Sequence, residues 1–494
     1  MSRVAHSASI SGKVASEALN HLLRKDGQED LCFALWHPSA GKSRQSGLVR
    51  SLILPRDGER NVHGNASFNP AYLERALGLA AKQGAGLALL HSHPAGRGWQ
   101  GMSEDDVRAE RDNAGAVFGA TGRPFLGLTL AGDGTWSARF WERTAPRTYN
   151  RNWCGSVRVT GDSLAVHFMD RLAAPPEATR EQIRTVSAWG DSCQRDLARL
   201  RIGVIGAGSV GGVIADALGR IGIEDVMLVD FDFVEEHNLD RLAYATRKDI
   251  GREKIEVLAE HILSRATAKN FRAETISAAV YEDAGFRAAL DCDLLFSCVD
   301  RPWGRYILNL IAYAHLIPVI DGGIAVRTNK YGKLVAADWR AHTATVGRPC
   351  LQCLTQYDPA FVQLEREGML DDPEYIKGLP DGHPLKSREN VYAFALSCGS
   401  FQLLQMLAYV VAPLERSNPG PQIYHFVGGM LEPPQRSGCK ADCDFPGLVG
   451  LGDDTGIHAT GPLPSNLQAR RERTKNRNAG SEKRAPWWRR LFGI

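Results

Sequence analysis

Cysteine is scarce, with ten in 494 residues, far below the density of a disulfide-stapled scaffold. Long apolar runs are missing too. The best candidate, residues 393–412, contains Ser397, Gly399, Ser400, Gln402 and Gln405, which fits a buried helix better than a membrane span. The first fifteen residues, MSRVAHSASISGKVA, lack the apolar core of a secretory signal. No unit repeats at a period of roughly 20–50 residues. These absences set the expectation of a reducing, cytoplasmic setting. A large charge of one sign is also missing from the body. The net charge is +3, but residues 465–494 hold nine Lys/Arg against two Glu, so the rest sits near −4. The basic character belongs to a terminal extension, and the body gives no argument for a nucleic-acid partner.

What is present is ordinary globular material, 44% hydrophobic and 23% charged, enough for more than one core. Residues 1–150 mix short apolar runs with turns. A helix is expected over Pro70–Gln83, a strand over Gly86–Leu90 and a hairpin over Gly127–Trp141. Residues 151–180, with AAPPEAT, read as a linker. From 181 to 445, short apolar runs (RIGVIGAG, DVMLVDFD, DLLFSCVD, IPVIDGG) alternate with helical stretches. That is the rhythm of a Rossmann-like, largely parallel sheet. Residues 446–494 read as a flexible basic tail ending in PWWRRLFGI. The fold class is therefore α/β throughout, in two domains.

The first chemical constellation is HSHPAGRGWQGMSEDD, residues 91–106. His91 and His93 are two apart at a strand end, so both rings point to one face and can share a zinc ion. Ser103 and Asp106 lie one helical turn apart beyond a Gly-rich loop. Ser103 can cap that helix while Asp106 turns inward as a third ligand. The order of these residues resembles the JAB/MPN (JAMM) metalloprotease family, whose pattern is an upstream Glu, then H-[ST]-H-P, then SxxD. The resemblance covers about residues 10–145. It implies His91, His93 and Asp106 as zinc ligands and Ser103 as the residue that helps hold the oxyanion. It also implies a glutamate that takes a proton from water. Glu29 and Asp30, at the mouth of an apolar strand, compete for that role; Glu29 is favoured by residue type, and strand alternation sends only one of the two inward.

The second constellation is IGAGSVGG, which places Gly206, Gly208 and Gly211 as G-x-G-x-x-G between a strand and a helix. Such a turn cradles a phosphate, and Asp230 ends the next strand, where an acid can bind ribose. This much also fits a dehydrogenase. The residues that follow decide for adenylation. Asn238, Arg241 and Lys254 are candidate triphosphate binders and Asp300 a candidate Mg²⁺ ligand. The stretch VDFDFVEEHNLDR, which includes Asp232, resembles the ThiF/MoeB and ubiquitin-activating enzyme family, with Leu242 where Gln is usual. The resemblance covers about residues 180–445. It implies ATP- and Mg²⁺-dependent adenylation of the C-terminus of a ubiquitin-like protein by a homodimer. A conjugating-enzyme-like protein is a further partner it suggests. It also makes Arg184, or Arg180, a residue reaching the partner subunit's ATP site.

Cys350-x2-Cys353 and Cys439-x3-Cys443 offer four thiolates for a structural zinc. Thioester-forming relatives carry a cysteine in the crossover between such pairs, but residues 354–390 contain none. Ser387, beside Lys386 and His383, is a candidate for an oxyester, and Cys398, mid-helix, the alternative nucleophile. Two other readings stay open: activation of a sulfur carrier for cofactor biosynthesis, and a regulatory module with inactive sites.

Overall fold

A computed structural model describes residues 5–63, 65–379, 389–412, 420–432 and 436–457. Ser387 and residues 458–494 lie outside the described residues. The first domain comprises β1 (Ala5–Ser11), α1 (Gly12–Leu22), β2 (Leu31–Ala40), β3 (Arg44–Ile53), the hairpin β4 (Arg60–His63) and β5 (Asn65–Phe68), and α2 (Pro70–Lys82). It continues with β6 (Gly86–His93), α3 (Glu104–Thr121), β7 (Phe125–Ala131), β8 (Trp136–Ala145), β9 (Thr148–Trp153), β10 (Ser156–Thr160) and β11 (Leu164–Phe168). Apart from the hairpin, these strands form one sheet in the order β11-β10-β1-β3-β2-β6-β7-β8-β9.

β6 shows why the central strands read as unbroken apolar runs. Gly86 to Ser92 are all buried, because separate apolar clusters cover the two faces of the sheet. The expected linker 151–180 is largely sheet: β10 pairs parallel with β1 and antiparallel with β11. The alternation in SVRVT and LAVHF is that of strands. Only residues 169–179 connect the domains.

The second domain has α4 (Ile183–Trp189), α5 (Asp191–Ala198), β12 (Arg201–Ile205), α6 (Ser209–Ile221), β13 (Asp225–Val229), α7 (Lys254–Leu263) and β14 (Arg272–Ile276). Then come α8 (Asp283–Ala289), β15 (Leu294–Ser297), α9 (Pro302–Ala314), β16 (Val319–Thr328), β17 (Leu334–Ala344), α10 (Pro359–Arg366) and α11 (Pro373–Gly378). It closes with α12 (Tyr392–Val410), β18 (Gln422–His425), β19 (Met430–Glu432) and α13 (Phe445–Leu448). The sheet order is β14-β13-β12-β15-β16-β17-β18-β19. The first five strands are mutually parallel and the last three antiparallel, the doubly wound arrangement expected from the alternation.

By length and composition α12 could cross a membrane. Its polar residues explain its actual place. Gln402 is fully buried and donates to the carbonyls of Ser297 and Ile320. Gln405 accepts from Thr343 and donates to the Gly420 carbonyl. The helix is locked onto β16 and β17 by amide bonds that lipid would not supply.

The two domains are joined by polar contacts at defined ends. The turn between β2 and β3 meets the loop before β15. There Ser43 and Arg44 backbone N–H groups donate to Asp291, and Arg44 Nη1 pairs with Asp293 at 2.6 Å. Arg158, fully buried on β10, reaches the same Asp293 at 2.9 Å. Residues 446–457, expected as free tail, form α13 and a strap across both domains. The carbonyl of Val449 accepts from Arg50, Asp453 accepts from Ala40 N and Arg287, and Asp454 lies 2.6 Å from His37 Nδ1 and 2.9 Å from Arg123.

Two candidate active sites

The first site is built at the C-terminal end of β6. His91 pairs in register with Leu31 of β2, which brings Glu29 alongside. The loop after His93 is fixed by Gly132, whose N–H donates to the carbonyls of His93 and Gly96. A Cβ at Gly132 would fall 1.9 Å from the Pro94 carbonyl oxygen. Ser103 then caps α3 as expected. Its Oγ accepts from Asp106 N at 3.1 Å, and Ser103 N donates to Asp106 Oδ2 at 2.8 Å. This capping box aims Asp106 at the histidines: Oδ1 lies 3.4 Å from His91 Nε2, and Oδ2 3.5 Å from His93 Nε2. One ligand atom from each residue falls within 4.8 Å of the others. His93 Nδ1 faces Gln100 Oε1 at 3.3 Å. With the proton on Nδ1, Nε2 is left with its lone pair toward the cluster. Two nitrogens and a carboxylate oxygen are a donor set that fits zinc with one position open.

The structure places Glu29 and Asp30 in different surroundings. Burial raises the Glu29 carboxyl above its usual range, opposed by the His93 and His91 rings it faces. Asp30 turns the other way and is buried. Its Oδ1 accepts from Leu31 N at 2.8 Å and pairs with Arg60 at 3.1 Å, while Oδ2 lies 3.4 Å from Arg24. Burial alone would raise the Asp106 carboxyl, but the His91 and His93 rings beside it hold it far below the ordinary range.

Four residues behind this site were not singled out by any sequence motif. Thr129 Oγ1 lies 3.3 Å from His91 Nε2 and accepts from Arg139, which is paired with Glu110 in a fully buried ion pair. Trp141 Nε1 also donates to Glu110, at 2.7 Å. Glu110 sits four residues after Asp106, on the same face of α3. That spacing was the available signal.

The second site lies at the C-terminal ends of β12, β13 and β15. Gly206 turns at φ +100°, and a Cβ at Gly211 would fall 1.9 Å from the Gly206 carbonyl oxygen, so only glycines close this loop. Gly208 precedes α6 as its N-cap. Both Asp230 oxygens accept backbone N–H groups, from Ala207 at 2.6 Å and Asp232 at 2.7 Å. A ribose hydroxyl would have to share them. Burial, then the neighbouring Asp232, raises the Asp230 carboxyl. Lys254 Nζ pairs with Asp232 at 2.9 Å. Burial works against its ammonium, but Asp232 and Asp230 hold its pKa above the ordinary value, with Asp300 adding to them. Asp300 itself is exposed.

The structure brings the glycine loop, Asp230, Asp232, Lys254 and Asp300 together. Asn238 and Arg241 are tied to their own segment: Asn238 Oδ1 accepts from Glu235 N, and Arg241 donates to the His237 carbonyl at 2.6 Å. Leu242, where the family pattern has Gln, is buried in the core. Arg180 and Arg184 are exposed, Arg184 on α4.

Cys350, Cys353, Cys439 and Cys443 converge with all four sulfurs within 4.8 Å of one another. Backbone N–H groups of Cys350 and Lys440 point at the sulfurs of Cys439 and Cys353, each at 3.3 Å. Four thiols with amide donors aimed at sulfur fit a structural zinc. Cys398 is fully buried, and burial pushes its thiol up to about 12. Both features work against Cys398, the alternative nucleophile, since a nucleophile needs access and thiolate character.

Residues 179–422 match the ThiF family model. Among curated proteins, the ubiquitin-like modifier-activating enzyme 5 of Drosophila willistoni is 26% identical over 170 residues, 32% of this chain and 42% of that protein. The sulfur carrier protein ThiS adenylyltransferase of Bacillus subtilis is 28% identical over 166 residues, 33% of this chain and 46% of that one. The match thus spans less than half the length of each of these relatives. A solved structure of Escherichia coli MccB covers 54% of this chain and 75% of its own at 14% identity, with a TM-score of 0.41.

Proposed function

We propose that residues 181–445 adenylate the C-terminal carboxylate of a ubiquitin-like protein, and that the N-terminal domain is a zinc hydrolase of JAB/MPN type acting on the same kind of C-terminus. The observation that carries the first half is the convergence of the glycine loop with Asp232, Lys254 and Asp300 at the C-terminal ends of β12, β13 and β15. Backbone N–H groups of the loop meet phosphate. Lys254 offers charge to the triphosphate. Mg²⁺ would neutralise the departing pyrophosphate, with Asp300 as its protein ligand. Asn238 and Arg241 reach the nucleotide in this reading only by leaving the contacts they make in their own segment. Dimerisation through this domain, with Arg184 or Arg180 crossing to the partner's ATP site, belongs to the same proposal.

The second half rests on the His91–His93–Asp106 cluster beside Glu29. Zinc there supplies a Lewis acid and an acidified water. Glu29 takes the proton from water, helped by a pKa raised toward the working range. Ser103 Oγ accepts from Asp106 N, so its own O–H is left to donate to the oxyanion that develops on the substrate carbonyl.

Burial and a raised thiol work against Cys398 as the acceptor of the activated C-terminus. Ser387 remains the candidate for an ester, and direct transfer to a partner the simpler course. Activation of a sulfur carrier is the second reading, favoured by likeness to the ThiS adenylyltransferase. The absence of cysteine from residues 354–390 speaks against a sulfur relay through that segment.

The test is ATP–pyrophosphate exchange with candidate ubiquitin-fold proteins. Exchange should require one of them and stop in Asp300→Ala. Nicotinamide-dependent hydride transfer without ATP would show the glycine loop to be misread. Cleavage of a C-terminally extended modifier should be lost in His91→Ala/His93→Ala. Chelator-resistant cleavage by that variant would sink the hydrolase reading.

A further inference from the structure

The two sites each lie away from the polar contact that joins the domains at Asp293 and Asp453. In the first domain, the cluster sits beside Leu31, at the start of β2. The polar contact sits beyond Ala40, at its other end, where Ala40 N donates to Asp453 and Arg44 pairs with Asp293; alongside it, β11 packs Leu164, Val166 and Phe168 into the core of the second domain. Nine strand steps separate the two, about 30 Å. In the second domain, Arg201 at the start of β12 donates its N–H to the same Asp293. The glycine loop follows Ile205 at the strand's far end, about 13 Å away.

The contact is not built as a hinge. Asp293 is 3% exposed and holds Arg44, Arg158 and Arg201 N at once. Separating these groups would leave buried charges without partners, a penalty of several kcal/mol. With the two strand lengths laid end to end, a tail held at one site would need roughly a dozen extended residues to touch the other.

We propose, resting on the two-activity reading above, that one chain holds two C-termini at once, one at each pole, and hands nothing directly between them. Hydrolysis at the first pole adds water across the acyl bond. The acyl carbon takes the hydroxyl, the leaving group takes the proton, and a free carboxylate departs. That carboxylate passes through bulk solvent before a carboxylate oxygen attacks the α-phosphorus of ATP at any second pole and pyrophosphate leaves. The adenylation site therefore draws on a shared pool of matured modifier.

The experiment compares wild type with an equal mixture of two separately purified full-length variants, His91→Ala/His93→Ala and Asp300→Ala, matched for the concentration of each functional site. The probe is the ubiquitin-fold protein that supports pyrophosphate exchange, prepared with a short C-terminal extension. Pyrophosphate release from ATP is followed in time. Wild type and mixture should agree within about two-fold, below the roughly five-fold effect at which coupled sites begin. Both should show the same lag, shortening as total enzyme rises. A lag in the mixture alone, or a mixture five-fold slower, would overturn the inference. Cleavage by Asp300→Ala alone, and exchange on the matured protein by His91→Ala/His93→Ala alone, are measured beside it. Failure of either would remove the two-activity reading and this inference with it, whereas success of both with a mixing penalty removes only the inference.

Discussion

Asp30 and Ser92 hold each other from both sides: Asp30 N donates to Ser92 Oγ at 3.0 Å, and Ser92 N donates to the Asp30 carbonyl at 3.0 Å. Ser92 stands between the two histidines of the first site and Asp30 follows Glu29. The pair therefore sets the distance between Glu29 and the His91–His93–Asp106 cluster. Ser92 Oγ also donates to the Leu22 carbonyl at 2.8 Å, anchoring both to the end of α1. Ser92→Ala should leave the Asp30 N–H buried without its partner and lower stability by about 1–3 kcal/mol. Hydrolysis should fall while ATP–pyrophosphate exchange stays intact. Thermal denaturation and the two assays side by side check it; unchanged stability would show that the bond contributes nothing.

Asp293→Ala should be among the most damaging substitutions at the contact between the domains. It removes the common partner of Arg44 and buried Arg158. Stranding buried guanidinium groups costs about 3–5 kcal/mol. Urea denaturation should show this loss, whereas Arg272→Ala, whose Asp225 bridge has an exposed arginine, should shift stability by under about 1 kcal/mol.

Glu365 on α10 is fully buried and accepts from Trp303 N at the start of α9. Burial raises its carboxyl to about 7. The folded protein keeps a proton that the unfolded chain releases in its ordinary range near 4.5. Stability therefore falls as pH climbs from that range to about 7 and then levels off, a loss on the order of 3 kcal/mol. Glu365→Gln keeps an oxygen for Trp303 N and carries no charge. It should be more stable than wild type at about pH 8 by roughly 1–3 kcal/mol, and nearly equal to it at about pH 5. The same difference at both pH values would refute the assignment.

Removal of metal from the four-cysteine cluster should loosen more than the cluster. Cys443 is followed directly by α13 and the strap, so the sulfurs anchor the segment that carries Asp453 and Asp454. Chelation, or Cys439→Ser, should lower the melting temperature and raise amide exchange across residues 449–457. Unaltered exchange there, with metal demonstrably lost, would count against this.

The sequence made the second sheet legible because its strands are short apolar runs closed by glycine or aspartate, and helices separate them. The His91–His93–Asp106 cluster was legible for a similar reason: HxH on a strand and SxxD at a helix start fix geometry locally. Glu110, Thr129 and Arg139 were not, because their meeting depends on how α3, β7 and β8 stack. Nor was the fate of residues 151–168. A proline-rich neighbour suggested a linker, but β10 finds its partner in β1, about 150 residues earlier, at a range local patterning does not reach. Asp30 and Glu29 could be separated in principle by alternation, yet only the positions of Arg24 and Arg60 decide which one faces inward.

The strap also dictates an order of events as the chain is made. The first domain can complete its sheet once residue 168 has emerged, yet His37, Ala40 and Arg123 wait for Asp453 and Asp454. At roughly 5–20 residues per second, the ribosome delivers those acids about 15–60 s later. For that interval the first domain exists with an unmet polar edge. The turn between β2 and β3 gains Asp291 and Asp293 earlier, so it is the neighbouring edge of His37 and Arg123 that stays open until Asp454 arrives to cover it.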